Sequence, residues 1–180
     1  MGTVILDSNV VIKHLEGTSN VSEIIAKHVA TYNDIVASEV TYTIIRATTG
    51  KSPYELKRMR ELPDKTRRAL RIAYDLFDYV LDYIPVSADV TKIARGYIDR
   101  FALLPNDAII LATGVYYGMD ALLTYDTDLL SLERIKKLKN YHTRRIRETI
   151  TATFNNLSIT MILLTYWDRF CLREYKKEKG

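Results

Sequence analysis

Cysteine is nearly absent: Cys171 stands alone among 180 residues. No internal disulfide can form, which excludes a disulfide-stapled secreted scaffold and fits a reducing compartment. Histidine is scarce as well. His14, His28 and His142 are scattered, so no Cys/His spacing of the zinc-binding kind exists. The longest apolar run, near Ile159 to Trp167, is broken by Thr160 and Thr165 and is too short to span a bilayer. The opening Met1-Gly2-Thr3-Val4-Ile5-Leu6-Asp7 lacks a charged leader, a long apolar stretch and a cleavage site, so no signal peptide is expected. No glycine-rich phosphate loop occurs, which disfavours a nucleotide-binding domain. Together these absences predict a soluble, cytoplasmic protein with no membrane partner.

Hydrophobic residues make up 47% of the chain, enough at this length for a core without covalent help. Tyrosine dominates the aromatics, 13 against 4 Phe and 1 Trp, and a ring with a polar tip suits surfaces that meet another molecule. The net charge of +4 is only mildly basic, but its distribution is uneven. Arg134 to Arg147 carries seven Lys or Arg and no acid, and a second basic stretch runs from Lys51 to Arg71. Both are candidate RNA-contacting faces; ordinary solvated faces would look the same.

Apolar patterning alternates strands with helices. Thr3–Leu6 is a short β-branched strand, and Asp34–Ala37 reads as a second, with Ser38 capping the helix that follows. Ile84–Val86 is a third strand-like entry. Ala108–Tyr117 is apolar nearly all round and so reads as a buried helix, and Ala121–Thr124 is a clear strand. This order predicts a three-layer α/β/α domain with a mostly parallel central sheet. The alternation stops near Tyr141, which divides the chain into a domain over 1–140 and an extension over 141–180. In the extension Ile159, Ile162, Leu163, Tyr166, Trp167 and Phe170 recur near helical spacing, so the expectation there is helical.

Sites in parallel α/β sheets form beyond the carboxyl ends of the strands. Asp7 follows the first strand, Asp126 and Asp128 follow the strand Ala121–Thr124, Asp107 opens the buried helix, and Glu39 opens the helix after the expected second strand. Taken singly, each could be a helix cap. Taken together, carboxylates at one sheet edge repel one another, and a divalent cation removes that penalty. Hard oxygen ligands suit Mg²⁺ or Mn²⁺. A haloacid-dehalogenase-type site would need an acid where Asn9 stands, and the paired acids and Lys of a receiver domain are missing.

The segments that carry these acids resemble a known family. Leu6-Asp7-Ser8-Asn9-Val10-Val11-Ile12 resembles the opening Asp-x-Asn motif of PIN domains. Leu103 to Ala112, with Asp107-Ala108 at its centre, resembles their Asp-Ala-x-Ile-x-Ala motif, and Leu123-Thr124-Tyr125-Asp126-Thr127-Asp128-Leu129 resembles their Thr-x-Asp-x-Asp motif. Order and spacing fit over about residues 3 to 135, and the flavour is that of archaeal VapC-type toxin ribonucleases. The resemblance implies Mg²⁺- or Mn²⁺-dependent RNA cleavage, with Asp7, Asp107 and Asp126 holding metal and Asp128 as an auxiliary acid. It implies that Asn9 and Thr124 orient the carboxylates, that the chain forms a homodimer, and that a VapB-like antitoxin blocks the site. Two positions depart from the pattern. The family's helix glutamate, counted from Ser38, falls near Thr43 or Ile44, leaving Glu39 about one turn early as the available substitute; Leu129 replaces a common aromatic. A missing glutamate favours the alternative of a PIN-like RNA- or protein-binding module with weak or no catalysis.

Overall fold

A computed structural model describes residues 2–19, 21–126 and 129, together with the backbone of two strands at 150–154 and 157–163. The first strand, β1 (Gly2–Leu6), runs into helix α1 (Ser8–Leu15). A single-turn helix α2 (Ser22–Ile25) leads to β2 (His28–Tyr32) and then to the long helix α3 (Asp34–Thr49). Next come α4 (Pro53–Leu56), α5 (Asp64–Tyr79), β3 (Asp82–Tyr83), α6 (Ala88–Phe101), α7 (Pro105–Tyr116) and β4 (Ala121–Thr124). Two further strands, β5 (Ile150–Phe154) and β6 (Leu157–Leu163), complete a six-stranded sheet of order β3-β2-β1-β4-β6-β5. The four strands β3, β2, β1 and β4 are mutually parallel, with helices on both sides, as the α/β reading requires.

Three elements differ from the sequence expectation, the slightest being the third strand, which lies at Asp82–Tyr83 rather than Ile84–Val86, where Pro85 has no amide to give a ladder. Asp34–Ala37 is not the second strand; it is the first turn of α3, and the strand lies earlier, at His28–Tyr32. Asn33 decides the boundary. Its Oδ1 accepts hydrogen bonds from the Ile35 and Val36 amides, 3.1 Å each, and so turns the chain into a helix five residues before Ser38 could cap it. The second correction concerns the extension. Ile150–Phe154 and Leu157–Leu163 form an antiparallel pair, and β6 in turn pairs antiparallel with β4, so the helical expectation for 141–180 fails at these residues. A short apolar stretch such as Met161 to Leu163 does not by its spacing separate helix from buried strand. Tyr166, Trp167 and Phe170 lie outside the described residues.

The core sits between the sheet and its helices. α5 buries Thr66, Leu70, Ala73 and Phe77 at helical spacing, and α6 buries Val90, Ala94 and Tyr97. α7 is buried on nearly every side, as its composition predicts. Among the described residues no helix is long and apolar enough to cross a membrane.

One polar tie crosses this core. Asn33 is fully buried, and while its oxygen caps α3 its Nδ2 donates to Thr113 Oγ1 of α7 at 2.8 Å. Asn33→Ala removes the cap and leaves the Thr113 oxygen without its donor. We expect a loss of about 2 kcal/mol in urea unfolding with an unchanged denaturant slope. A loss under about 0.5 kcal/mol would show that the cap and tie do not hold α3 to α7.

Candidate active site

Parallel pairing of β1 with β4 sets their carboxyl ends side by side: Leu6 is in register with Leu123, and the Asp7 amide donates to the Leu123 carbonyl at 2.9 Å. Asp7 is therefore fixed at the sheet edge by backbone before its side chain does anything. It is also the N-cap of α1, so the capping and site readings of this residue coexist.

The Asp7 carboxylate is 4% exposed and accepts four hydrogen bonds. Oδ1 takes the Ser8 amide at 2.6 Å and the Ser8 hydroxyl at 3.3 Å. Oδ2 takes Asn9 Nδ2 at 2.8 Å and Thr124 Oγ1 at 2.5 Å. Thr124 gives its only proton to Asp7 and uses its lone pairs to accept the Asp126 amide at 2.9 Å and Asn9 Nδ2 at 3.2 Å. Asn9 Oδ1 accepts the Tyr125 amide at 3.0 Å. Asp7, Asn9, Thr124 and the backbone of Asp126 thus form one network that spans two strand ends. Lys13 of α1 lies with its ammonium 3.8 Å from the Tyr125 ring centre, beside this network.

Glu39 is the sixth residue of α3, about one and a half turns inside at 3.6 residues per turn. Counted from Asn33, the observed cap, Glu39 lies deeper in its helix than it does counted from Ser38. Ile44 packs against the core instead. Glu39 Oε1 accepts Asn106 Nδ2 of α7 at 2.6 Å, which sets it beside the first turn of α7, where Asp107 is half-buried next to Asn106. Asn106, Ser8 and Lys13 were not singled out from the sequence; short polar residues flanking the motif acids were the available signal. Asp128 and the Arg134–Arg147 stretch lie outside the described residues.

Burial is the largest influence on Asp7 and pushes its pKa above the ordinary carboxylate value. The negative charge of Glu39 pushes the same way, while the hydrogen bonds from Thr124 and Ser8 oppose it. Among the described residues no three His, Cys, Asp or Glu converge into a ready-formed cage. The donor set nonetheless fits a hard divalent cation. It consists of carboxylate oxygens, and the buried charge of Asp7, opposed by Glu39, is what a cation would stabilise.

The sign of the pH dependence follows. A folded-state pKa above the unfolded one means that the folded chain keeps the Asp7 proton to higher pH. Its contribution is complete below the unfolded pKa and is lost as pH rises through the raised value. In EDTA, melting temperature should fall across that window, and Glu39→Gln should move the fall to lower pH and shrink it. Superimposable profiles for native and Glu39→Gln protein would mean that the Glu39 charge does not reach Asp7.

A family model described as PIN domain matches residues 4–138. Ribonuclease VapC2 of Methanocaldococcus jannaschii is 33% identical over 130 residues, covering 69% of this chain and 85% of that protein. Ribonuclease VapC6 of the same organism is 27% identical over 153 residues, covering 76% and 96% respectively. Among solved structures, VapBC2 from Rickettsia felis bound to a promoter DNA fragment superposes with a TM-score of 0.51 at 15% identity, over 73% of this chain and 94% of that one. Mycobacterium tuberculosis VapC20, described as a Sarcin-Ricin loop cleaving toxin, superposes with a TM-score of 0.52 at 16% identity, over 72% and 95%. These structural likenesses concern the fold. With the family model spanning most of its length and a VapC relative at this identity, the chain belongs to the PIN-domain family.

Proposed function

We propose that this chain is a divalent-metal-dependent endoribonuclease of the VapC toxin class. The observation that carries the reading is the single hydrogen-bond network through Asp7, Asn9, Thr124 and Asp126 at the carboxyl edge of the sheet, with Glu39 close enough to act on Asp7 electrostatically. The names of the two Methanocaldococcus jannaschii relatives support RNA as the substrate. The alternative is a PIN-like RNA- or protein-binding module with weak or no catalysis; a glutamate one and a half turns inside α3, Glu39, supports the enzyme reading over it.

Asp7, Asp107 and Asp126 would hold Mg²⁺ or Mn²⁺, with Glu39 beside them. Such an ion, when bound, polarises the scissile phosphate and lowers the pKa of an attacking water. The chain's own residues do the rest. Thr124 and Asn9 fix Asp7 Oδ2, and the Ser8 hydroxyl, the longest of the four contacts, is the donor most easily displaced from Oδ1. Asn106 holds Glu39 by Oε1, which leaves Oε2 as the basic oxygen that takes a proton from the attacking water. The proposal extends to RNA contacts along Lys51–Arg71, to action in the cytoplasm, to a homodimer, and to a VapB-type antitoxin. The last is supported by the Rickettsia felis neighbour, which was solved as VapBC2.

Cleavage of mixed RNAs, with Mg²⁺, Mn²⁺ or EDTA, tests the reading. Native protein should cleave with either ion and not in EDTA, Asp7→Asn should be inactive, and Glu39→Gln should lose on the order of 100-fold or more in rate. Cleavage that survives EDTA, or full activity in Asp7→Asn, would refute it.

A further inference from the structure

The face of α3 that carries Glu39 continues toward the end of the helix. Tyr42, Thr43, Arg46 and Gly50 follow Glu39 at three, four, seven and eleven residues, so all lie in one stripe. With Ala47 and Lys51 they line a shallow surface hollow of about 340 Å³. Tyr42 is 43% exposed, and the Arg46 guanidinium lies 5.9 Å from the centre of its ring. Among the described residues neither Arg46 nor Lys51 is in an ion pair, unlike Arg67 with Asp64 and Lys92 with Asp89. Gly50 ends the helix in the left-handed region at φ 68°, and a side chain there would meet nothing within 4 Å, so this end of the hollow is open.

An exposed aromatic face beside unpaired cations suits single-stranded nucleic acid, because the ring takes a base and the cations take phosphates without needing a particular sequence. At a rise of 1.5 Å per residue, Arg46 lies about 10 Å and Gly50 about 16 Å along the axis from Glu39. A strand whose scissile phosphate sits by Glu39 can therefore run straight along the helix. We propose that this hollow is a subsite for single-stranded RNA flanking the cleaved bond, in which Tyr42 stacks a base and Arg46 and Lys51 contact phosphates; this rests on the nuclease reading above. Apart from Glu39 the stripe is cationic, and its apolar surface is one ring with short side chains. That composition fits nucleotides better than the apolar face of a partner helix.

The test is steady-state cleavage of an end-labelled single-stranded RNA of mixed sequence by the full chain with Mn²⁺, at several salt concentrations. Tyr42→Leu should raise KM on the order of tenfold, with a smaller change in kcat. Arg46→Gln and Lys51→Gln should each raise KM and lower the slope of log KM against log salt by about 1. Lys92→Gln, on α6, is the control and should change neither. An RNA lacking the stacked base should bind native protein and Tyr42→Leu equally weakly. All three positions are exposed, so the variants should fold as the native chain does. Unchanged KM and salt slope in the three variants, with native protein still cleaving, would overturn the subsite and leave the nuclease reading intact. A change in mass in solution at unchanged KM would assign this face to a protein contact and overturn it too. If the native protein cleaves no RNA with either ion, the nuclease reading fails and the subsite with it.

Discussion

A carboxylate buried at the end of β1 is the constraint on which this sheet edge depends. Removing an ionised group from water is costly unless donors replace the solvent, and Asp7 is met by four. Even so, its pKa stays above the ordinary value, because burial outweighs the hydrogen bonds and Glu39 adds repulsion. Both effects work against ionised Asp7, which is the penalty that a bound cation would remove. Such residual conflict is typical of a site shaped for a ligand that the rest of the fold cannot supply.

The remaining architecture keeps that conflict local. Parallel pairing of β1 and β4 places Asp7 and Thr124 next to each other through backbone alone, so a single threonine hydroxyl can serve both Asp7 and the chain leading to Asp126. Two asparagines anchor the helices around them. Asn33 ties the start of α3 to α7 inside the core, and Asn106 ties Glu39 to the first turn of α7 at the surface. Because both ties join the same two helices, the depth of Glu39 in α3 and the position of Asp107 in α7 are set together.

Much of this was legible in the sequence, and the reasons differ by element. β1 and β4 are short apolar runs ended by acids, and α7 is apolar on nearly every side, so position, type and motif agree. Asn9 and Thr124 stand in the same motifs as the acids, and both donate to Asp7 Oδ2. The second strand was misplaced because Ile35, Val36 and Ala37 look like a strand, while the true strand, His28–Tyr32, carries a histidine and a tyrosine and follows helix-spaced residues. The same shift sets Glu39 deeper in its helix than a count from Ser38 does. The C-terminal strands were missed for a different reason: their identity depends on pairing with β4, a long-range fact that local apolar spacing does not encode.

The most direct measure of the central claim is a calorimetric titration of Mn²⁺ into the native chain and into Asp7→Asn, in buffers of different ionisation enthalpy. If Asp7 is a metal ligand whose charge is opposed by burial, native protein binds Mn²⁺ and, near the raised pKa, releases a proton as it does so, while Asp7→Asn binds weakly or not at all. Equal Mn²⁺ affinity in the two proteins, with no buffer-dependent heat in the native one, would contradict the account.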